Sequence, residues 1–194
     1  MADTRTTAQK TAKATARTIL RELEAVVDGL ADDQVDALVD ALLAARKIVV
    51  IGVGREGLTA RAFTMRLMHC GLDAHWVWDD TAPALGADDL LLAVSGSGEI
   101  GHIDYVARRA MMAGARLAVV TADPEAQTAD MADVVLRVPG AAYSVRSDVV
   151  PSVQPMGSLF EQACWLVLDT VVLELVSRAG LRQEDLSARH RNVE

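Results

Sequence analysis

Cysteine is scarce in this chain, with only Cys70 and Cys164 among 194 residues. Two thiols cannot form a disulfide framework, and they have no metal-ligand spacing, so a reduced, cytosolic setting is expected and no metal site is read. Basic charge is also short: 19 Lys and Arg stand against 27 Asp and Glu, for a net charge of -8. A broad surface that neutralises nucleic-acid phosphates needs clustered Lys and Arg, so nucleic acid is not an expected partner, and any anionic ligand must be held locally. Long apolar runs are missing too. The most apolar segment, Trp165 to Val176, is broken by Asp169 and Glu174, which excludes a helical membrane span and leaves no membrane partner in the reading. No internal repeat occurs, and the only low-complexity bias is Thr and Ala near the start.

What is present is core material, with 51% hydrophobic and 24% charged residues. That composition fits one domain over 1–194: an N-terminal helical arm at 1–45, an α/β core at 46–180 and a tail at 181–194. The first twenty residues, rich in Thr, Ala, Lys and Arg, have the flavour of a transit peptide, but Asp3 and the lack of a cleavage signal argue against one. Ile19, Leu20, Leu23, Val26, Val27 and Leu30 follow helical spacing. Asp32 or Asp33 then caps a second helix carrying Val35, Leu38, Val39, Leu42 and Leu43. These apolar stripes need a partner, either the flank of the sheet or another subunit.

Short apolar runs follow at Lys47–Ile51, His75–Trp78, Asp89–Val94, Arg116–Thr121 and Asp133–Val138. Helical patterns lie between them at 57–70, 100–113 and 125–131, and a long final helix spans 157–179. Strands alternating with helices predict an α/β three-layer sandwich with a five-stranded parallel, doubly wound sheet of flavodoxin-like order 2-1-3-4-5. Pro139–Gln154 has no periodicity and reads as a long loop over the carboxyl edge of the sheet, where function concentrates.

Two glycine-rich turns carry the chemistry. Gly52-Val53-Gly54-Arg55-Glu56-Gly57 follows the first strand and fits a dinucleotide fingerprint, with Asp79 or Asp80 at the distance of its ribose acid. Ser95-Gly96-Ser97-Gly98-Glu99 ends the third strand and offers hydroxyls and backbone N–H groups ahead of a helix, a nest suited to phosphate. In the predicted strand order both turns open on the topological switch point. For either turn the plainer role is to allow a tight strand-to-helix connection.

With both turns placed, the chain resembles the sugar isomerase (SIS) domain family and, within it, the 6-phospho-3-hexuloisomerase branch. The matching blocks are Gly52 to Leu58, Arg66-Leu67-Met68-His69-Cys70-Gly71, Ser95 to Glu99, Gln154-Pro155-Met156-Gly157-Ser158-Leu159-Phe160-Glu161-Gln162 and the terminal Arg189-His190-Arg191-Asn192-Val193-Glu194. The resemblance implies interconversion of 6-phospho-3-hexulose and fructose 6-phosphate in the ribulose monophosphate pathway of formaldehyde assimilation. It implies no cofactor, and a homotetramer or homodimer with sites built between subunits. Two positions depart from the family pattern. Glu56 and Ile100 stand where the family usually has Ser and Thr, and both lost hydroxyls resemble phosphate contacts.

Ketose isomerisation needs a base for the C2 proton and a donor for the developing oxyanion. Glu161, at the start of the last helix, is the candidate base, although a dipole-favoured acid is common at that position. His190 in the polar tail is the candidate proton donor, with a solvated tail histidine as the alternative. His69 is a secondary catalytic candidate that fits an interface or core role equally well. Phosphate and sugar contacts are assigned to Gly54, Arg55, Glu56, Ser95, Gly96, Ser97, Gly98, Glu99 and Ser152, with Arg146 as a further cation. Arg55 has Glu56 and Asp80 as alternative partners. The final helix is apolar almost all round and is expected in an oligomer interface. Two other readings stay open: a non-catalytic sugar-phosphate-binding module, and a nicotinamide dehydrogenase built on the first turn.

Overall fold

The computed structural model describes residues 11–145 and 147–193. The first half of the Thr/Ala-rich start, Arg146 and Glu194 lie outside them. Helix α1 (Ala12–Asp28) begins at Thr11, whose side chain accepts the Ala14 N–H at 3.2 Å, a capping contact that satisfies an orphan donor. Helix α2 (Asp32–Ala44) is instead preceded by Ala31 with no side-chain cap. Asp32 and Asp33 lie within its first turn, so they act on the helix dipole and not as the expected caps.

The strands are β1 (Lys47–Gly52), β2 (Ala74–Trp76), β3 (Asp89–Val94), β4 (Arg116–Thr121) and β5 (Val134–Arg137). They form one parallel sheet of order β2-β1-β3-β4-β5. The sheet is buried on both faces, and its side chains divide with period two. Ile48, Val50, Leu90, Leu92 and Val94 enter one apolar cluster with α1, α2, α3 (Gly54–His69) and α6 (Ser158–Arg178). Val49, Ile51, Leu91 and Ala93 enter a second with Ile103, Ala107 and Ala110 of α4 (Gly101–Met112). This is the α/β three-layer, doubly wound arrangement expected from the alternating pattern. Two short helices, α5 (Gln127–Asp130) and α7 (Gln183–Ala188), complete it.

Because α3 leaves β1 on one face and α4 leaves neighbouring β3 on the other, the carboxyl ends of β1 and β3 frame a crevice. The turns into these helices need glycine: Gly54 has φ 58°, and Gly98 has φ 61° with the site of a Cβ only 2.5 Å from the Ala126 Cβ. The loop from Pro139 to Gly157 closes over this edge. It is tied down by the Gly140–Val150 bridge and by the Ser147 hydroxyl, which donates to the Ala122 carbonyl at 2.9 Å. Among the described residues the only non-glycine residues at positive φ, Ser144 and Met156, both lie in it, so backbone strain is concentrated beside the crevice.

Most of α6 is absorbed by the chain's own core and not by an oligomer interface. Leu159, Phe160, Ala163, Cys164, Val167, Leu168, Val171, Val172 and Leu175 are buried against the sheet and α1–α3. Trp165, Leu166 and Leu173 remain exposed on its outer side. Among the described residues no helix is long and apolar enough to cross a membrane.

Candidate active site

The crevice brings together the first turn of α3 and the first turn of α6. Arg55 donates from Nε to Glu161 Oε2 in an ion pair, so its partner is neither Glu56 nor Asp80. Glu161 is mostly covered, with 13% of its side chain exposed, while Arg55 is 66% exposed. Its position follows from local folding: Glu161 N–H bonds to the Gly157 carbonyl at 3.0 Å and Phe160 N–H to the Ala141 carbonyl at 3.2 Å, so the loop delivers the start of α6 to the sheet edge. A groove of about 510 Å³ runs from Arg55 and Glu161 along α3 and α6 past Gln162, Leu58, Trp165 and Asp169.

Glu56 lies deeper. Its Oε2 accepts the Gly96 N–H at 3.0 Å, joining the two glycine-rich turns across the crevice. Its carboxyl is pushed up to about 7: burial raises it most, the Gly96 N–H works against that, and the negative charge of Glu161 adds to the rise. The contact depends on Gly96 having no side chain: a Cβ there would fall 2.7 Å from the Ala142 Cβ, 2.8 Å from Glu56 Oε1 and 2.9 Å from Phe160 Cδ1.

The rest of the second turn is built as a nest, but its hydroxyls are unequal. Ser95 is fully buried, and its Oγ has no hydrogen-bond partner among the described residues. Ser97 is half-buried and accepts the Glu99 N–H at 3.3 Å. Thr121 donates to the Gly96 carbonyl at 3.3 Å, and Thr128 donates from N and Oγ to the Gly98 carbonyl at 3.0 and 2.8 Å. These carbonyl contacts fix the turn from behind, while of its N–H groups Ser95's bonds to the Val120 carbonyl at 3.0 Å, Gly96's to Glu56 and Glu99's to Ser97. Ile100 precedes α4 as an uncapped N-cap, in keeping with the missing hydroxyl.

Three expected site residues are not assembled with these. Ser152 donates to Glu22 of α1 at 2.7 Å, and the same carboxylate accepts from the Val153 N–H at 3.0 Å and from Gln154 Nε2 at 3.2 Å. Burial raises Glu22, but those hydrogen bonds outweigh it and hold the carboxyl below its usual range. Ser152 therefore anchors the loop. His69 and His190 stack on each other with ring centroids 5.3 Å apart and 23° between planes. His69 is buried, and burial, Arg66 and His190 all lower its pKa. Arg189 completes this cluster by donating to the His69 carbonyl at 3.2 Å. The pair sits at the far end of α3: fourteen residues separate Arg55 from His69, roughly 20 Å along a helix axis. Within one chain the histidines do not share the crevice with Glu161.

Gln162 was not singled out by residue chemistry, although it closes the block ending Phe160-Glu161-Gln162. Its Nε2 donates to Gln154 Oε1 at 2.8 Å, while its Oε1 is buried without a partner, an available acceptor at the groove. Asp79, needed on a ribose in a dinucleotide reading, faces Arg61 at 3.8 Å.

Comparison with known proteins assigns the class to which this crevice belongs: the SIS domain profile matches residues 41–164, and the chain belongs to the SIS domain family. Several of the proteins it is similar to within that class are isomerases. It is 38% identical over 152 residues to the 3-hexulose-6-phosphate isomerase of Bacillus subtilis (strain 168), covering 78% of this chain and 82% of that one. It is 40% identical over 148 residues to the enzyme of the same name from Mycobacterium gastri, covering 76% and 74%. Among solved structures, a Methanococcus jannaschii protein whose structure was described as inferring a 3-hexulose-6-phosphate isomerase function superposes with a TM-score of 0.79 at 28% identity, covering 92% and 98%.

Proposed function

We propose that this chain is a phosphosugar isomerase that interconverts 6-phospho-3-hexulose and fructose 6-phosphate through an enediol. The observation that carries the reading is the placement of Glu161: a carboxylate in the first turn of α6, mostly shielded from water and paired with Arg55 at the mouth of the switch-point crevice. The family's isomerases and the turn Ser95–Glu99 support a sugar phosphate as ligand.

In the direction of fructose 6-phosphate, Glu161 takes the proton from C2 and the electron pair moves toward the C3 carbonyl oxygen. The proton of the C2 hydroxyl passes to the C3 oxygen of the enediolate, and as the C2 ketone forms the electron pair of the double bond takes the proton held by Glu161 at C3, which returns the carboxylate to its starting state. Arg55 fixes the carboxylate and places a cation beside the developing oxyanion, the kind of preorganised charge that lowers such barriers. The N–H groups of the Ser95–Glu99 turn and the start of α4 receive the phosphate.

The working form is an assembly of identical chains. Supporting it, Leu58, Met65, Trp165, Leu166 and Leu173 are exposed by 45% or more along α3 and α6, continuous with the groove at Glu161. The His69–His190 pair, remote from its own crevice, then serves a neighbouring copy's. The thiols Cys70 and Cys164 are free and buried, which suits a reducing cytosol.

The test is conversion of freshly generated 6-phospho-3-hexulose, read through a coupled dehydrogenase. Glu161→Gln keeps shape and removes the base, so turnover is expected to fall by about 10²–10⁴-fold. Undiminished turnover retires Glu161 as the base. Folded protein that binds fructose 6-phosphate without turning it over supports the second reading, a non-catalytic sugar-phosphate binder.

A further inference from the structure

The Glu56 carboxyl reaches across the crevice to the second glycine-rich turn. Its Oε2 takes the Gly96 N–H, and its Oε1 is pressed against Gly96 where a Cβ would stand, so the carboxyl is lodged in the second turn and does not merely pass it. Beside it, Ser95 Oγ is buried and unpartnered. Among the described residues the surroundings supply no compensating cation. Helix α6 presents Glu161 and the buried Cys164, whose thiol is raised first by burial and then by both glutamates. Arg55, on Glu56's own helix, is committed to Glu161. The second turn offers backbone N–H, and the 139–157 loop offers Ala142, with its Arg146 outside the described residues. Among the described residues Glu56 has no ion pair.

A phosphate dianion reaching for the Gly96 N–H meets this carboxylate at hydrogen-bonding range. Two anions at such a distance relieve their repulsion by holding one proton between them, as paired carboxylates do. We infer that Glu56 is a specificity-determining residue of the crevice, admitting a phosphoryl group only together with one proton that the carboxyl and the phosphate share. The inference rests on reading the crevice as a phosphosugar site. The charge balances: carboxylate, proton and phosphate dianion become a neutral carboxyl that donates to a bound dianion. Because burial already lifts the free carboxyl to about 7, the proton is taken up from solution in the neutral to alkaline range, above the second ionisation of a phosphate ester near 6.

Calorimetric titration with fructose 6-phosphate from pH 6.5 to 9, in two buffers of different ionisation heat, measures both the affinity and the protons bound. The unaltered protein is expected to take up close to one proton per ligand above pH 8 and to lose about tenfold in affinity per pH unit there. Glu56→Gln, whose amide donates without titrating, is expected to bind without proton uptake and with a flat profile over the same range. Glu56→Ser, which removes the carboxyl and leaves a hydroxyl, is expected to behave likewise and provides a second folded variant, checked by its melting curve. Equal proton uptake in parent and variants overturns the inference, as does pH-independent binding by the parent. Proton-linked binding without hexulose turnover leaves the inference standing and removes the isomerase reading. Turnover with pH-independent binding does the reverse. Absence of fructose 6-phosphate binding at every pH, with fructose bound instead, overturns both.

Discussion

Glu56 and Glu161 stand on facing walls of one crevice, and their surroundings treat them differently. Glu161 has a guanidinium in contact, whereas Glu56 has a single backbone N–H and a covering of Ala142 and Phe160. For Glu56 the consequence extends to stability. A carboxyl raised from 4.5 to about 7 keeps a proton in the folded chain that the unfolded chain has lost, so stability is fully present below about 4.5, declines through that window and is flat above 7. The difference between the two values corresponds to on the order of 3 kcal/mol. Glu56→Gln removes this loss. Its melting temperature should approach the parent's near pH 5 and exceed it by several degrees at pH 8, given roughly 2–4 °C per kcal/mol at this chain length. His69 works in the opposite sense, since its lowered pKa costs stability as pH falls below about 6.5. Comparing the two proteins at each pH cancels that contribution. Equal melting at pH 8 would show the Glu56 carboxylate to be solvated in the folded chain.

At the scale of elements, the loop over the crevice is held by α1 through one carboxylate. Glu22 accepts from Ser152, the Val153 N–H and Gln154, and Gln154 passes the connection to Gln162 on α6. Glu22→Ala leaves those donors to water, costing about 1–3 kcal/mol locally. The Val153 amide should then exchange its hydrogen about tenfold or more faster, and turnover should fall because α6's first turn loses its fixed approach. Unchanged exchange would assign the anchoring to the Gly140–Val150 bridge. The sequence discloses this loop as a non-periodic stretch, but not its anchor, because Glu22 lies 130 residues away from Ser152. Elements with both faces buried were legible to the residue: β3 and β4 are continuous apolar runs. Edge strand β2 is shorter than its pattern because it pairs only with β1, and beyond it Trp78 turns to meet His102. Helix α7 has no apolar stripe to read and is held instead by Asp185 accepting the Arg182 N–H at 2.8 Å. The turns and Glu161 announced the crevice through their spacing. The lodging of Glu56 on Gly96 did not show, because it requires a missing Cβ forty residues away.

At the scale of the whole molecule, α6 presents an outer stripe where Gln162, Trp165, Leu166, Asp169 and Leu173 follow one another at helical spacing. Leu173 is 67% exposed and Leu58 on neighbouring α3 is 65% exposed. Exposed apolar side chains grouped in this way mark an interaction surface, and here the surface runs into the groove that holds Glu161. A copy seated on it shields the crevice from water and brings its own tail within reach, which the position of His190 within one chain otherwise leaves without a use. Leu173→Glu tests the assembly without touching Arg55, Glu161 or Gln162, since it lies twelve residues beyond Glu161, about 18 Å along the axis. A charge buried there in an interface of like copies is unpaired and repelled by its counterpart. The parent should sediment as a dimer or larger, and the variant as a folded monomer with turnover reduced at least tenfold. Mixing Leu173→Glu chains with parent chains should then recover only the activity that the parent fraction predicts, because a chain that stays monomeric does not enter the parent assembly. A parent that sediments as a monomer at full turnover would show each crevice to be complete in its own chain, and would return the His69–His190 stack to the role of holding the tail.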